Sequence, residues 1–271
     1  MTAVTAPSDR RQRRDRRTVA LHPLAQDLAG ALARDEVDLL FQPQFSCTTR
    51  QITGAEALVR WHHADLGAVS GDELVLIAQG SHGGSELTHG LTGHVLARAL
   101  AVAAGWPQAL RLSLNVTAAD LAAADFAGSI TAALAASGLA PARLTLEITE
   151  QALVADLDRS AARLEKLVAL GVRVALDDFG AGFCNFRYLK KLPLHYLKLD
   201  RSMVQGIAED RRDLEVLRGI LAMASALDLA VVAEGIETEA QREAVRREGC
   251  ESWQGYLGGK PMPARQFADL L

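Results

Sequence analysis

The chain reads as an α/β fold, a (β/α)₈ TIM-like barrel with an antiparallel first strand. Three observations lead there. Eight short apolar runs alternate with amphipathic helical patterns along most of the 271 residues, and such alternation implies a largely parallel sheet. Only about five residues, Cys47 to Gln51, separate the first two runs; that is hairpin length, too short for a parallel crossover. Nearly every run ends in a carboxylate, amide or ammonium, and strand ends converge at the mouth of a barrel.

The runs are Val37–Phe45, Ile52–Trp61, Arg111–Val116, Leu144–Ile148, Arg173–Leu176, Tyr196–Leu199, Ala230–Ala233 and Trp253–Leu257. A helix is expected over 156–170, with Leu157, Ala161, Leu164 and Val168 on one face. Another is expected over 210–228, carrying Leu217, Ile220, Leu221 and Ala224; both follow the 3.6-residue period. Residues 21–271 therefore form one barrel, a length usual for this architecture. Residues 1–20 stand apart. Six of the eight residues from Arg10 to Arg17 are Arg, and such a block is normally a disordered, solvated tail. Contact with nucleic acid through it is the less favoured reading.

Composition narrows the function. The net charge of −4 argues against a surface built for nucleic acid. Cys47, Cys184 and Cys250 are scattered and odd in number, so neither a thiolate zinc site nor a disulfide framework is signalled. No apolar run reaches the roughly 18 residues of a membrane span, and a cytoplasmic location fits.

The strand ends carry the chemistry. The second run holds Glu56 and Arg60, the third Asn115, the fourth Glu147 with Glu150 after it, and the fifth ends in Asp177-Asp178. The sixth holds Lys198 and Asp200, the seventh is followed by Glu234 and Glu237, and the eighth holds Gln254. Close carboxylates repel and raise one another's pKa unless a cation offsets them. Any one of these acids alone could be a helix cap; as a set they read as a metal site. An all-oxygen donor set selects Mg²⁺ or Mn²⁺ over Zn²⁺, one or two ions, and points to metal-assisted phosphoryl chemistry. His62-His63 are set aside, because neighbours on a strand point to opposite faces. The glycines Gly180, Gly182, Gly258 and Gly259 are read as turn residues, and Cys184 as an ordinary small residue.

At these positions the chain resembles the EAL-domain family of cyclic di-GMP phosphodiesterases over about residues 24–268. The resemblance rests on Phe41-Gln42-Pro43, Glu56-Ala57-Leu58-Val59-Arg60-Trp61, the Asn115 segment, Leu146 to Glu150, Asp177-Asp178-Phe179-Gly180, Leu197-Lys198-Leu199-Asp200, Ala233-Glu234-Gly235-Ile236-Glu237 and Gln254-Gly255-Tyr256, in that order. It implies metal-dependent hydrolysis of cyclic di-GMP to linear pGpG. It also implies roles: Glu56, Asn115, Glu147 and Asp177 as ligands of a first metal, and Asp177 with Asp178 for a second. Lys198 would orient the attacking water, with Glu234 as general base. Gln42, Arg60 and Asp178 would touch substrate, Gln254 and Glu237 would support the site, and Glu150 would anchor the loop from Phe179 to Asn185. A homodimer is implied in the same way. The chain departs from the family pattern at Gly71, Leu74-Val75 and Ala78-Gln79, in the segment Gly80 to Gly90, and at Cys184-Asn185. These departures carry the alternative of a catalytically weak cyclic di-GMP receptor acting through a protein partner.

Overall fold

The computed structural model describes residues 23–80, 84–153, 156–182 and 186–271. The Arg-rich tail, His82, Cys184 and Asn185 lie outside the described residues. Two compact units are present: one of residues 1–38 and 59–94, described from 23, and one of 39–58 and 95–271.

The larger unit holds the barrel. Its strands are β1 (Val37–Ser46), β2 (Ile52–His63), β4 (Arg111–Val116), β5 (Leu144–Thr149), β6 (Arg173–Phe179), β7 (Tyr196–Leu199), β8 (Ala230–Ala233) and β9 (Ser252–Gln254), the first two from Leu39 and as far as Leu58. Neighbours run β1-β9-β8-β7-β6-β5-β4-β2, and a β1–β2 pairing closes the ring of eight. Every pairing from β2 through β4 to β9 is parallel, whereas β1 lies antiparallel to β9, with Phe45 opposite Trp253. The hairpin argument therefore holds. Within the strands, alternate residues part company. Leu112, Leu114, Leu144, Leu146, Ile148, Val174, Leu176, Leu197 and Leu199 are buried. The intervening Ser113, Thr145, Glu147, Asp177 and Lys198 are also buried although polar. Period-two alternation sends one set outward to the helices and the other into the barrel.

The helical shell follows its amphipathic patterns. The helix α6 (Leu157–Ala169) buries Leu157, Ser160, Ala161, Leu164 and Leu167; Leu167, not the expected Val168, completes the face. Asp156 caps it by accepting from Arg159 N–H. The helix α8 (Arg211–Ala226) buries Leu217 and Ala224 and is capped by Asp210. Arg143, 6% exposed, donates to the carbonyls of Leu110 and Ala103 at 2.8 Å and of Trp106 at 3.4 Å. It closes backbone acceptors left at a helix end. The expected last strand is shorter than its apolar run: β9 stops at Gln254. A Cβ at Gly255 would lie 2.1 Å from Ile236 O, and Ile236 N–H donates to Gln254 O at 3.1 Å. The chain must turn there, past another backbone that only glycine lets so close. The short strand β10 (Met262–Pro263) adds to β1.

In the smaller unit, a helix covers 23–33 and β3 (Gly67–Val69) pairs antiparallel with the end of β2. The helix α2 (Gly71–Gln79) begins in a capping box between Ser70 and Glu73. So the altered residues at 71–79 still specify a helix. His63 packs edge-on to Trp61 and lies 3.4 Å from Asp27, a structural role.

Candidate active site

The polar parity of the strands converges on Lys198. This side chain is 1% exposed. Its Nζ lies 2.6 Å from Glu147 Oε2, 2.7 Å from Glu234 Oε1, 3.0 Å from Asp177 Oδ1 and 3.7 Å from Glu56 Oε2. One ammonium thus faces carboxylates from β2, β5, β6 and the turn after β8. Burial works against its charge, but Asp177, Glu147, Glu234 and Glu56 outweigh that and hold the lysine well above its ordinary pKa.

Neighbouring amides hold Glu56 in place. Asn115 Nδ2 donates to Glu56 Oε1 at 2.7 Å and Gln254 Nε2 to Oε2 at 2.7 Å. Gln254 also donates to Gln42 Oε1 at 3.0 Å, and Gln42 donates to Gly259 O at 3.3 Å. Although burial favours the neutral acid, Lys198 and these two amides keep Glu56 below its ordinary pKa.

Two adjacent acids serve one point through a strand irregularity. The β6–β7 register shifts between Leu176 and Phe179, and Asp178 takes a left-handed conformation, φ 56°. A regular strand would send Asp177 and Asp178 to opposite sides; a bulge re-aims one of them, and a non-glycine residue at positive φ stores backbone strain. As a result, oxygens of Asp177, Asp178 and Glu234 lie within 4.8 Å of one another. Asp177 Oδ1 also accepts from Asp178 N–H at 2.9 Å.

Among the described residues the charges of this cluster do not balance. One ammonium faces the carboxylates of Glu56, Glu147, Asp177 and Glu234, with Asp178 beside them. Burial, only partly opposed by Lys198, raises Glu147 well above the usual carboxylate range and Glu234 to about 8. Among the described residues the buried Gln254 Oε1 accepts no hydrogen bond, and Glu234 Oε1 has Lys198 Nζ as its ionic partner at 2.7 Å. An all-oxygen donor set, an excess of carboxylates over the one ammonium and a buried amide oxygen without a hydrogen bond fit a divalent cation.

The remaining sequence candidates fall elsewhere. Glu237 lies outside the lysine cluster and pairs with Arg201 Nη2 at 3.1 Å. The sequence reading did not single out Arg201; the neighbouring Gly235, φ 67°, was the available signal, since a Cβ there would lie 2.4 Å from Arg201 Cγ. Asp200 caps the turn at Ser202, the plain reading of a strand-end acid. Glu150 opens a 3₁₀ turn, Glu150–Leu153, and part of the loop assigned to it lies outside the described residues. Arg60 belongs to the smaller unit, where Nη1 donates to Val59 O at 2.8 Å.

A stability consequence follows from the raised acids. The folded, cation-free site holds protons that the unfolded chain releases above the ordinary carboxylate value of 4.5. Proton uptake on folding means stability falls as pH rises from there through about 8. Thermal unfolding in chelator should therefore show a midpoint that drops across that window. Saturating Mn²⁺ should flatten the drop, because the cation displaces the protons. Equal pH slopes with and without Mn²⁺ would contradict it.

The family described as EAL domain matches residues 25–261. An uncharacterized signaling protein of Caulobacter vibrioides is 38% identical over 240 residues, 89% of this chain and 29% of that protein. The cyclic di-GMP phosphodiesterase NbdA of Pseudomonas aeruginosa is 35% identical over 248 residues, 92% of this chain and 32% of that protein. The chain thus spans about three-tenths of these curated relatives. Among solved structures, the c-di-GMP complex of the PaMucR phosphodiesterase superposes with a TM-score of 0.82 at 36% identity, covering 90% of this chain and 99% of that one.

Proposed function

The chain belongs to the EAL domain family, and from that premise we propose that it hydrolyses cyclic di-GMP to linear pGpG with a divalent cation, Mg²⁺ or Mn²⁺. The observation that carries this reading is the Lys198-centred carboxylate cluster with its excess negative charge. Glu56, Asn115, Glu147 and Asp177 would hold one ion, and Asp177 with Asp178 a second. Cations there would supply positive charge to the scissile phosphoryl group.

The protein's own groups do the rest. Lys198 Nζ orients the attacking water and offsets charge on the phosphoryl oxygens. Glu234, beside Lys198 Nζ and within 4.8 Å of the Asp177 and Asp178 oxygens, takes the proton of that water as general base. The water oxygen bonds to phosphorus, the bond to the 3′ oxygen breaks, and that oxygen takes a proton from solvent, leaving a 5′-phosphate and a 3′-hydroxyl. In the larger unit, Gln42 and Asp178 contact the dinucleotide. Gln254 fixes Glu56, Glu237 supports the turn after β8, and Glu150 anchors the loop after β6. We place the activity in the barrel assigned to 21–271, as a cytoplasmic homodimer.

The test is direct: incubate the protein with cyclic di-GMP and Mg²⁺ or Mn²⁺ and separate the products. Linear pGpG is the expected product. Tight binding without product would replace the enzyme with a receptor, the reading that the altered segment 71–90 favours. Removing residues 1–20 is expected to leave turnover unchanged, as for a solvated extension; a drop beyond about tenfold would give the tail a part in binding.

A further inference from the structure

The opposite ends of the strands carry a second charge cluster. Arg111 opens β4, Arg173 opens β6 and Tyr196 opens β7. Both guanidiniums donate to Tyr196 Oη, Arg173 Nη1 at 2.9 Å and Arg111 Nη1 in a closer contact. Both also lie over the same ring, 5.7 and 5.8 Å from its centroid. The tyrosine is buried and the two arginines are half-buried.

Two like charges on one phenol oxygen repel, and among the described residues no carboxylate forms an ion pair with either. The contrast with Arg143 is informative. That guanidinium is enclosed and spends its donors on three backbone carbonyls, as a structural arginine does. For Arg111 and Arg173 the phenol oxygen is the acceptor, which leaves most of each planar fork of N–H donors unused. Beside them, His195 Nδ1 accepts from Val174 N–H at 3.2 Å, so its ring proton sits on Nε2 as one more donor. Burial, then the charge of Arg173, keep this imidazole below its ordinary pKa and neutral. Paired forks of this kind match the oxygens of a phosphate.

We propose that Arg111, Arg173 and Tyr196 form an anion site at the N-terminal mouth of the barrel that takes a phosphate dianion. The source is either free phosphate or the terminal phosphate of a nucleotide. The site is separate from the carboxylate cluster, which repels such an anion when no cation is present.

Titration calorimetry of the full chain in chelator, at constant ionic strength, tests this with inorganic phosphate and guanosine 5′-monophosphate. Saturable binding of both is expected, weakened about tenfold or more in Arg173→Gln, the size of one lost charge-assisted pair. Equal affinities would assign the site to phosphate alone; tighter binding of the nucleotide would add contacts to the base or sugar. If Arg173→Gln does not fold, Arg173→Lys carries the comparison, since it keeps the charge and loses the fork. Absence of saturable binding for either anion overturns the proposal, and so does wild-type affinity in the folded variant.

Discussion

Replacing Lys198 with Met is expected to abolish turnover and to weaken the cation-free fold by about 3–5 kcal/mol, the usual cost of breaking a buried ion pair from one side. The reason is the count of charges at one point. Glu56, Glu147, Asp177 and Glu234 all lie within 3.7 Å of Nζ, and no other ammonium faces them among the described residues. Without it, the buried acids must take up protons in order to fold. The loss should therefore be largest at alkaline pH and shrink as pH falls. Millimolar Mn²⁺ should recover part of the stability, because a dication replaces the missing charge, without restoring turnover. Lys198→Arg should not restore turnover either, since the planar fork does not fit a space shaped for a compact ammonium. Chemical denaturation in chelator measures the effect; a midpoint unchanged from wild type would mean that Lys198 does not offset these acids.

Glu234→Gln is expected to lower kcat by about 10²–10⁴-fold, the range for a lost general base, while cyclic di-GMP binding stays near wild type. The amide keeps the shape but cannot accept a proton. Stability should move the other way from the lysine variant. Glu234 is an acid that burial pushes up to about 8, so it must take up a proton on folding near neutral pH; the amide needs none and should hold or raise the unfolding midpoint there. The two variants together separate a catalytic loss with an intact fold from a catalytic loss caused by a broken charge balance. A fall in kcat of less than tenfold would take the base role away from Glu234.

Most strand positions are written in the local sequence. Arg111–Val116, Tyr196–Leu199 and Ala230–Ala233 form strands over the bounds their apolar runs suggest, because alternation of leucine with polar residues has meaning only in a strand that separates two environments. The antiparallel first strand was equally legible, since five residues cannot carry a parallel crossover. Among the strand-end acids, Glu56, Glu147, Asp177 and Glu234 do come together around Lys198, because closure of a parallel barrel brings those ends together, whereas Asp200 and Glu237 serve local contacts.

Other features depend on contacts between distant residues. Gln42 and Gln254 are 212 positions apart and share a hydrogen bond. Lys198 reads as one strand-end cation among several until four carboxylates are placed around it. Asp177-Asp178 look like a simple acidic pair; only a register shift against β7 and a left-handed Asp178 bring both toward Glu234. Gly255 ends β9 because the backbone of Ile236 passes there, and Glu237 turns to Arg201. By itself, the sequence determined the barrel, the direction of its first strand and the oxygen-rich mouth, since period, loop length and residue chemistry are local quantities. The tertiary structure decided which lysine faces the acids, which amides hold Glu56 and where the strand bulges, since those depend on distances across a closed sheet.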